Sequence, residues 1–249
     1  MNAFWVPTSA VFQRDLLRFW RERSRVAGFA LTPVVFWVLV GSGYSNFERF
    51  LPGALVLTVM FSAIFSAMSL IEDRKEGFLL SMLASPAPRI TIAVGKIASG
   101  SLIAVAQAML FLLLATVGGT LYPDASLAVL FAVCLLIAAA FTAAGLVIAW
   151  LVASSQGFHA VINLIFMPLW MLSGAIFTLT EAQPWLRYLM LANPVTYAQE
   201  AMARGLGLPV SASHPVGAIT TWVVLTVTAI ATLVASVRVL ARRSERNLT

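Results

Sequence analysis

Six apolar stretches, at residues 26–43, 51–71, 97–117, 127–152, 160–179 and 216–240, govern what this chain can fold into. Crossing a hydrocarbon core about 30 Å thick takes about 20 residues of helix, and these stretches are of that order. None holds Asp, Glu, Lys or Arg at its centre, where a charge costs roughly 2.5–3.5 kcal/mol on insertion scales. In lipid every backbone polar group must bond within the protein, so a spanning segment is a helix or part of a closed barrel; these runs far exceed a barrel strand of about 10 residues. The expected fold is therefore all-α: a single membrane domain over residues 1–249 with six transmembrane helices. With 60% hydrophobic and only 10% charged residues, the chain is too apolar for a soluble core of its length to hide.

Charge placement sets the expected orientation. Of the 16 Lys and Arg residues, Arg14, Arg18, Arg21, Arg23 and Arg25 precede the first stretch. Arg74, Lys75, Arg89 and Lys96 fall between the second and third, and Arg238, Arg242, Arg243 and Arg246 come last. Only Arg49, Arg187 and Arg204 fall on the other side. The positive-inside rule then puts both termini in the cytoplasm; the expected location is the plasma membrane, the bacterial inner membrane, as a multi-pass protein. The net charge of +6 is explained by these flanks, which removes the reason to invoke nucleic acid. No small-residue cleavage pattern follows the first run, so it is read as a retained span.

Three segments are expected not to span. In residues 1–25, Phe12, Leu16, Phe19 and Trp20 recur at helical spacing while Arg14, Arg18, Arg21 and Arg25 take the opposing face, the pattern of a helix lying in the cytoplasmic interface. The alternative is that these residues continue the first span into water and serve only as anchors. Residues 180–215 hold two short pieces, 185–192 and 195–206, split at Asn193-Pro194; they are expected to be short re-entrant helices dipping into the outer leaflet. There Glu200 and Arg204 stand at i and i+4, read either as a modest helix pair or as a gate on an exit path. The third segment, 72–90, opens with five consecutive charges, Glu72, Asp73, Arg74, Lys75 and Glu76. Gly77 follows, then an apolar set of Phe78, Leu79, Leu80, Met82 and Leu83, before Pro86 and Pro88 end the run. A plain solvated loop has no use for those apolar side chains; a short helix docked on a partner does.

The chain offers little to catalysis. Gly95-Lys96 does not complete a phosphate-binding loop, because Ile90 and Ile97 stand where Gly and Ser or Thr are required. His159 and His214 are expected on opposite sides of the membrane, Cys134 is the only cysteine, and no carboxylate pair or His-Glu motif appears, so catalytic, cofactor and metal sites are not expected. Spans so drawn bury no ionisable residue, which disfavours an ion-driven secondary transporter. Milder polar residues remain: Ser62, Ser66 and Ser69 at helical spacing and Asn163. Helix-to-helix hydrogen bonding is their ordinary role, and lining a translocation path, together with Glu200 and Arg204, is the sharper one.

The basic amphipathic N-terminus, "EDRKEGFLLSMLASPAPRITIAVGK" at 72–96 and "LSGAIFTLTEAQPWLRYLMLANPVTYAQEAMA" at 172–203 together resemble the integral membrane subunit of type-2 ABC exporters of polysaccharides, lipids and drugs. The resemblance covers nearly the whole chain. It implies that 72–83 is a coupling helix seated on a separate ATPase subunit, with the N-terminal helix as an elbow beside it. Where family members often carry Thr-Leu-Glu after the glycine, this chain has Phe78-Leu79-Leu80. The resemblance further implies two ABC ATPase subunits, which bind ATP and Mg, and two permeases, either a homodimer or a pair with a related chain. The cargo would be amphipathic, lipid-linked or drug-like. The rival reading is a non-transporting membrane scaffold that recruits a cytoplasmic partner through the same segment.

Overall fold

A computed structural model describes residues 2–44, 47–117, 119, 124–208 and 217–242. Among them there is no strand. Eleven α-helices follow in chain order: α1 Asn2–Arg21, α2 Arg23–Tyr44, α3 Phe47–Ser66, α4 Met68–Lys75, α5 Phe78–Ala84, α6 Ile90–Val117, α7 Leu127–Leu151, α8 Ser155–Trp170, α9 Pro184–Ala192, α10 Pro194–Gly205 and α11 Ala218–Arg242. A π-helical turn, Met171–Ala175, extends α8 and ends at Gly174, whose φ of 96° only glycine adopts without strain.

Five helical runs are long and apolar enough to cross a membrane: Phe47–Lys75, Ile90–Val117, Leu127–Leu151, Ser155–Ala175 and Ala218–Leu240. The first anticipated span falls on α2, which carries a shorter apolar stretch, Val34–Gly43. Boundaries follow local chemistry. Ser126 and Ser154 cap α7 and α8 by accepting from the Val129 and Gly157 amides. Asn193 does the same for α10 through Val195, with Pro194 in the first turn, where a missing N–H costs nothing. This cap divides α9 from α10, so the expected pair of short helices forms within a residue of the anticipated limits.

The core lies around α3, which is buried at nearly every position from Phe50 to Ile64 and packs against α2, α6 and α7, while α7 also carries α11 and α1 lies on α6. Small residues set the spacing, as they do where helices associate without a hydrophobic driving force. A Cβ at Gly145 would stand 2.9 Å from the Ile64 carbonyl oxygen, so α7 and α3 approach backbone to backbone. At Gly95 a Cβ would stand 2.9 Å from the Val11 Cβ and 3.0 Å from the Thr8 carbonyl oxygen, which brings α1 equally close to α6.

One boundary differs in kind from the sequence expectation. The third span was expected to begin at residue 97, with Lys96 in the preceding loop. Instead α6 starts at Ile90, and Lys96 sits six residues, about 9 Å, inside the helix, 2% exposed. The expectation that no ionisable group is buried in the spanning helices is thereby corrected. The helix tolerates the charge because two carboxylates meet it there.

Candidate functional site

Those carboxylates begin the site. Lys96 Nζ lies 2.7 Å from an Asp73 carboxylate oxygen and 3.1 Å from one of Asp15, and donates to Ser69 Oγ at 3.0 Å. Asp73, on α4, is fully buried. It also accepts α1: Arg14 is 2.7 Å away and Arg18 3.3 Å. Arg18 reaches Glu76 at 2.6 Å and Glu72 at 3.5 Å, and the Arg14 guanidinium lies 3.7 Å over the Phe78 ring. Three cations thus meet four carboxylates where α1, α4 and α6 converge. Burial works against the Arg18 guanidinium, but its hydrogen bond to Glu76 and the charges of Glu72, Glu76 and Asp73 outweigh it and hold its pKa above the usual value.

This arrangement orients α1. The sequence pattern put the arginines opposite the apolar face without saying what they meet; Arg14 and Arg18 look into the protein, because α4 supplies their counter-charges. The outer stripe carries Trp5, Val6, Leu17 and Trp20, all more than half exposed, with Arg21. Phe12, Leu16 and Phe19 are partly buried, and the side chain of Arg25 lies outside the described residues.

The other side of α4 is tied differently. Arg74 donates to the carbonyl oxygens of Ala149, Trp150 and Val152 at 3.1, 3.2 and 3.0 Å, satisfying acceptors that the end of α7 leaves open, and Lys75 donates to Ser155 Oγ at 3.3 Å. Gly77, with φ 76°, then turns the chain into α5. Leu79 is buried, Met82 and Leu83 pack against the core, and Leu80 stands 70% exposed beside Ser81, Ala84, Ser85, Pro86 and Pro88. Of the segment's sequence-anticipated residues, the charged ones mostly hold the protein's own helices, while the outward surface is apolar and small.

The remaining candidates fall in separate places. Ser62 bonds Gln107, Ser66 donates to the Ala63 carbonyl, and with Ser69 they border a cavity of about 20 Å³ shared with Asp15, Arg18, Phe19, Ser99 and Ile103. That is room for a single water. Asn163 is exposed, at the edge of the face that buries Ile162 and Phe166. Glu200 is buried on α10 and accepts from Arg204 Nε at 2.8 Å. Sequence reading did not single out Asp15 or Lys96 as site residues. The available signals were an acid set between Arg14 and Arg18, and a lysine directly ahead of an apolar run.

An all-α bundle with five membrane-length apolar helices among the described residues, and a charge cluster where α1, α4 and α6 converge, defines a polytopic membrane protein. The chain belongs to the ABC-2 type transporter family, whose sequence profile matches residues 7–207, and it is a permease subunit of that family. It is similar to the "Putative transport permease ycf38" of Porphyra purpurea, at 25% identity over 207 residues, covering 78% of this chain and 71% of the relative. The protein of the same name from Cyanophora paradoxa is 29% identical over 184 residues, covering 68% of this chain and 63% of the relative.

Proposed function

We propose that this permease is the membrane half of an ATP-driven exporter that moves an amphipathic, lipid-linked or drug-like substrate out of the cytoplasm or inner leaflet, with ATP and Mg held by a separate ABC ATPase. In this reading α2 is a sixth span, both termini are cytoplasmic in a plasma membrane, α1 lies in the interface, and α9 and α10 dip into the outer leaflet. Two copies of the permease, or one copy with a related chain, join two ATPases. The observation that carries the reading is α5. A short helix at the charged end exposes Leu80 with small residues around it, while α4 behind it is tied to three neighbouring helices. An exposed apolar spot on a firmly braced element suits a protein contact that must transmit force.

The test is purification of this chain from its native membranes with identification of the bound subunit, expected to be an ABC ATPase. Leu80→Asp is expected to lower recovery of the ATPase and abolish its stimulation about tenfold or more, since a buried unpaired charge is costly at an interface, with membrane insertion unchanged. A different, non-ATPase partner lost on the same substitution favours the scaffold; an unaltered ATPase complex removes α5 as the docking element.

A further inference from the structure

The two ties on α4 differ in what breaking them leaves behind. On one side, Asp73, Lys96 and Asp15 have side chains 0%, 1% and 6% exposed. Removing any one strands opposite charges in the interior, where an uncompensated ion is strongly disfavoured. On the other side, Arg74 bonds three neutral carbonyl oxygens at the end of α7, and the half-buried guanidinium can exchange them for water. The cluster also spans three elements at once, and Gly95 lets α1 lie against α6 beside Lys96, with Val11 seated directly on the glycine.

We propose that Lys96 is a positioning residue that pins α1, α4 and the first two turns of α6 to one another. The clasp stands on contacts within this chain. Its consequence, that load arriving at α5 reaches α6 and α1 through this clasp, rests on the exporter reading above. Arg14 and Arg18 add to the hold on α1 through Asp73, Glu72 and Glu76, and the Arg14 contact with Phe78 carries it across Gly77 to α5.

Amide hydrogen exchange of the full chain in lipid nanodiscs, without any ATPase, tests the clasp independently of transport. Lys96→Met is expected to speed exchange about tenfold or more in α1 and α4 together while leaving the middle of α7 and α11 as in the parent. Arg74→Gln is expected to speed exchange at the end of α7 and the start of α8 and to leave α1 protected. In the double variant D15N/K96M, α1 should exchange no faster than with Lys96→Met alone, because the two residues act through one contact. Should Lys96→Met fail to insert, Asp15→Asn is read in the same way, with loosening expected in α1. A rise spread evenly over all helices, an unchanged α1 with Lys96→Met or Asp15→Asn, a summed effect in the double variant, or an α1 released equally by Arg74→Gln would each overturn the proposal.

Discussion

Asp73 shows what a single residue costs and holds. With Arg14 and Lys96 each 2.7 Å away, its carboxylate is matched on both sides, so the penalty of burying it is largely offset. Asp73→Asn keeps the shape and removes the charge, leaving the Lys96 ammonium with Asp15 alone. A loss of about 3–5 kcal/mol is expected from breaking a buried pair this way, read as a lowered thermal unfolding midpoint in detergent. Glu181 sits at the opposite, exposed extreme. The Thr178 backbone N–H donates to it at 2.8 Å, and Arg49 lies 3.3 Å away. Chiefly through the Thr178 bonds, with Arg49 adding to them, its pKa is lowered from the ordinary value. A depressed carboxylate contributes stability that is present above its unfolded pKa and lost as pH falls through the folded one. The difference in melting midpoint between the parent and Glu181→Gln should therefore be small but measurable at neutral pH and vanish as acidification protonates Glu181, below the ordinary carboxylate range.

Among the elements, α1 carries the clearest lesson about patterns. Its spacing reads correctly as an amphipathic helix, yet the side that faces the protein is the charged one, because the neighbour it meets is the acidic turn of α4. What remains outside is Trp5, Val6, Leu17 and Trp20, with Trp5 and Trp20 toward the two ends, a composition suited to the headgroup layer. Brominated lipids labelled near the headgroup should quench tryptophan emission, and Trp20→Phe should remove part of that quenching. Unchanged quenching would place α1 away from the interface. The segment 72–83 divides in a similar way: its charges are legible as a cluster in the sequence, but that Asp73 points inward and Leu80 outward follows from the turn at Gly77 and the packing of Leu79, Met82 and Leu83.

At the scale of the whole molecule, α3 is the buried axis, whereas α8 and α11 leave much of their apolar surface outside, including Leu164, Ile165, Met167, Ile219, Val223, Val227 and Ile230. Such faces meet lipid or another copy of a permease, in keeping with the proposed pairing. Moving a transporter from 1:99 to 99:1 between two access states takes about 5.5 kcal/mol of differential binding, more than any one surface contact on α5 supplies. A braced α4 lets several contacts add. The six-span arrangement predicts that reporters fused to the two ends report the same side of the membrane; opposite sides would mean an odd number of crossings.

The apolar runs by themselves determined that this chain is helical, that it belongs in a bilayer and roughly where its helices lie, because lipid leaves the backbone no other way to satisfy its hydrogen bonds. The grouping of charge at one end was equally plain, since ions are excluded from the apolar centre. Only the tertiary structure decided which charges face which. Lys96, Asp15 and Asp73 are 23 to 81 residues apart in sequence, and Gly95 lets α1 approach α6 closely enough for Asp15 to reach Lys96. A salt bridge between helices depends on that approach and on rotation about each axis, which no local periodicity encodes.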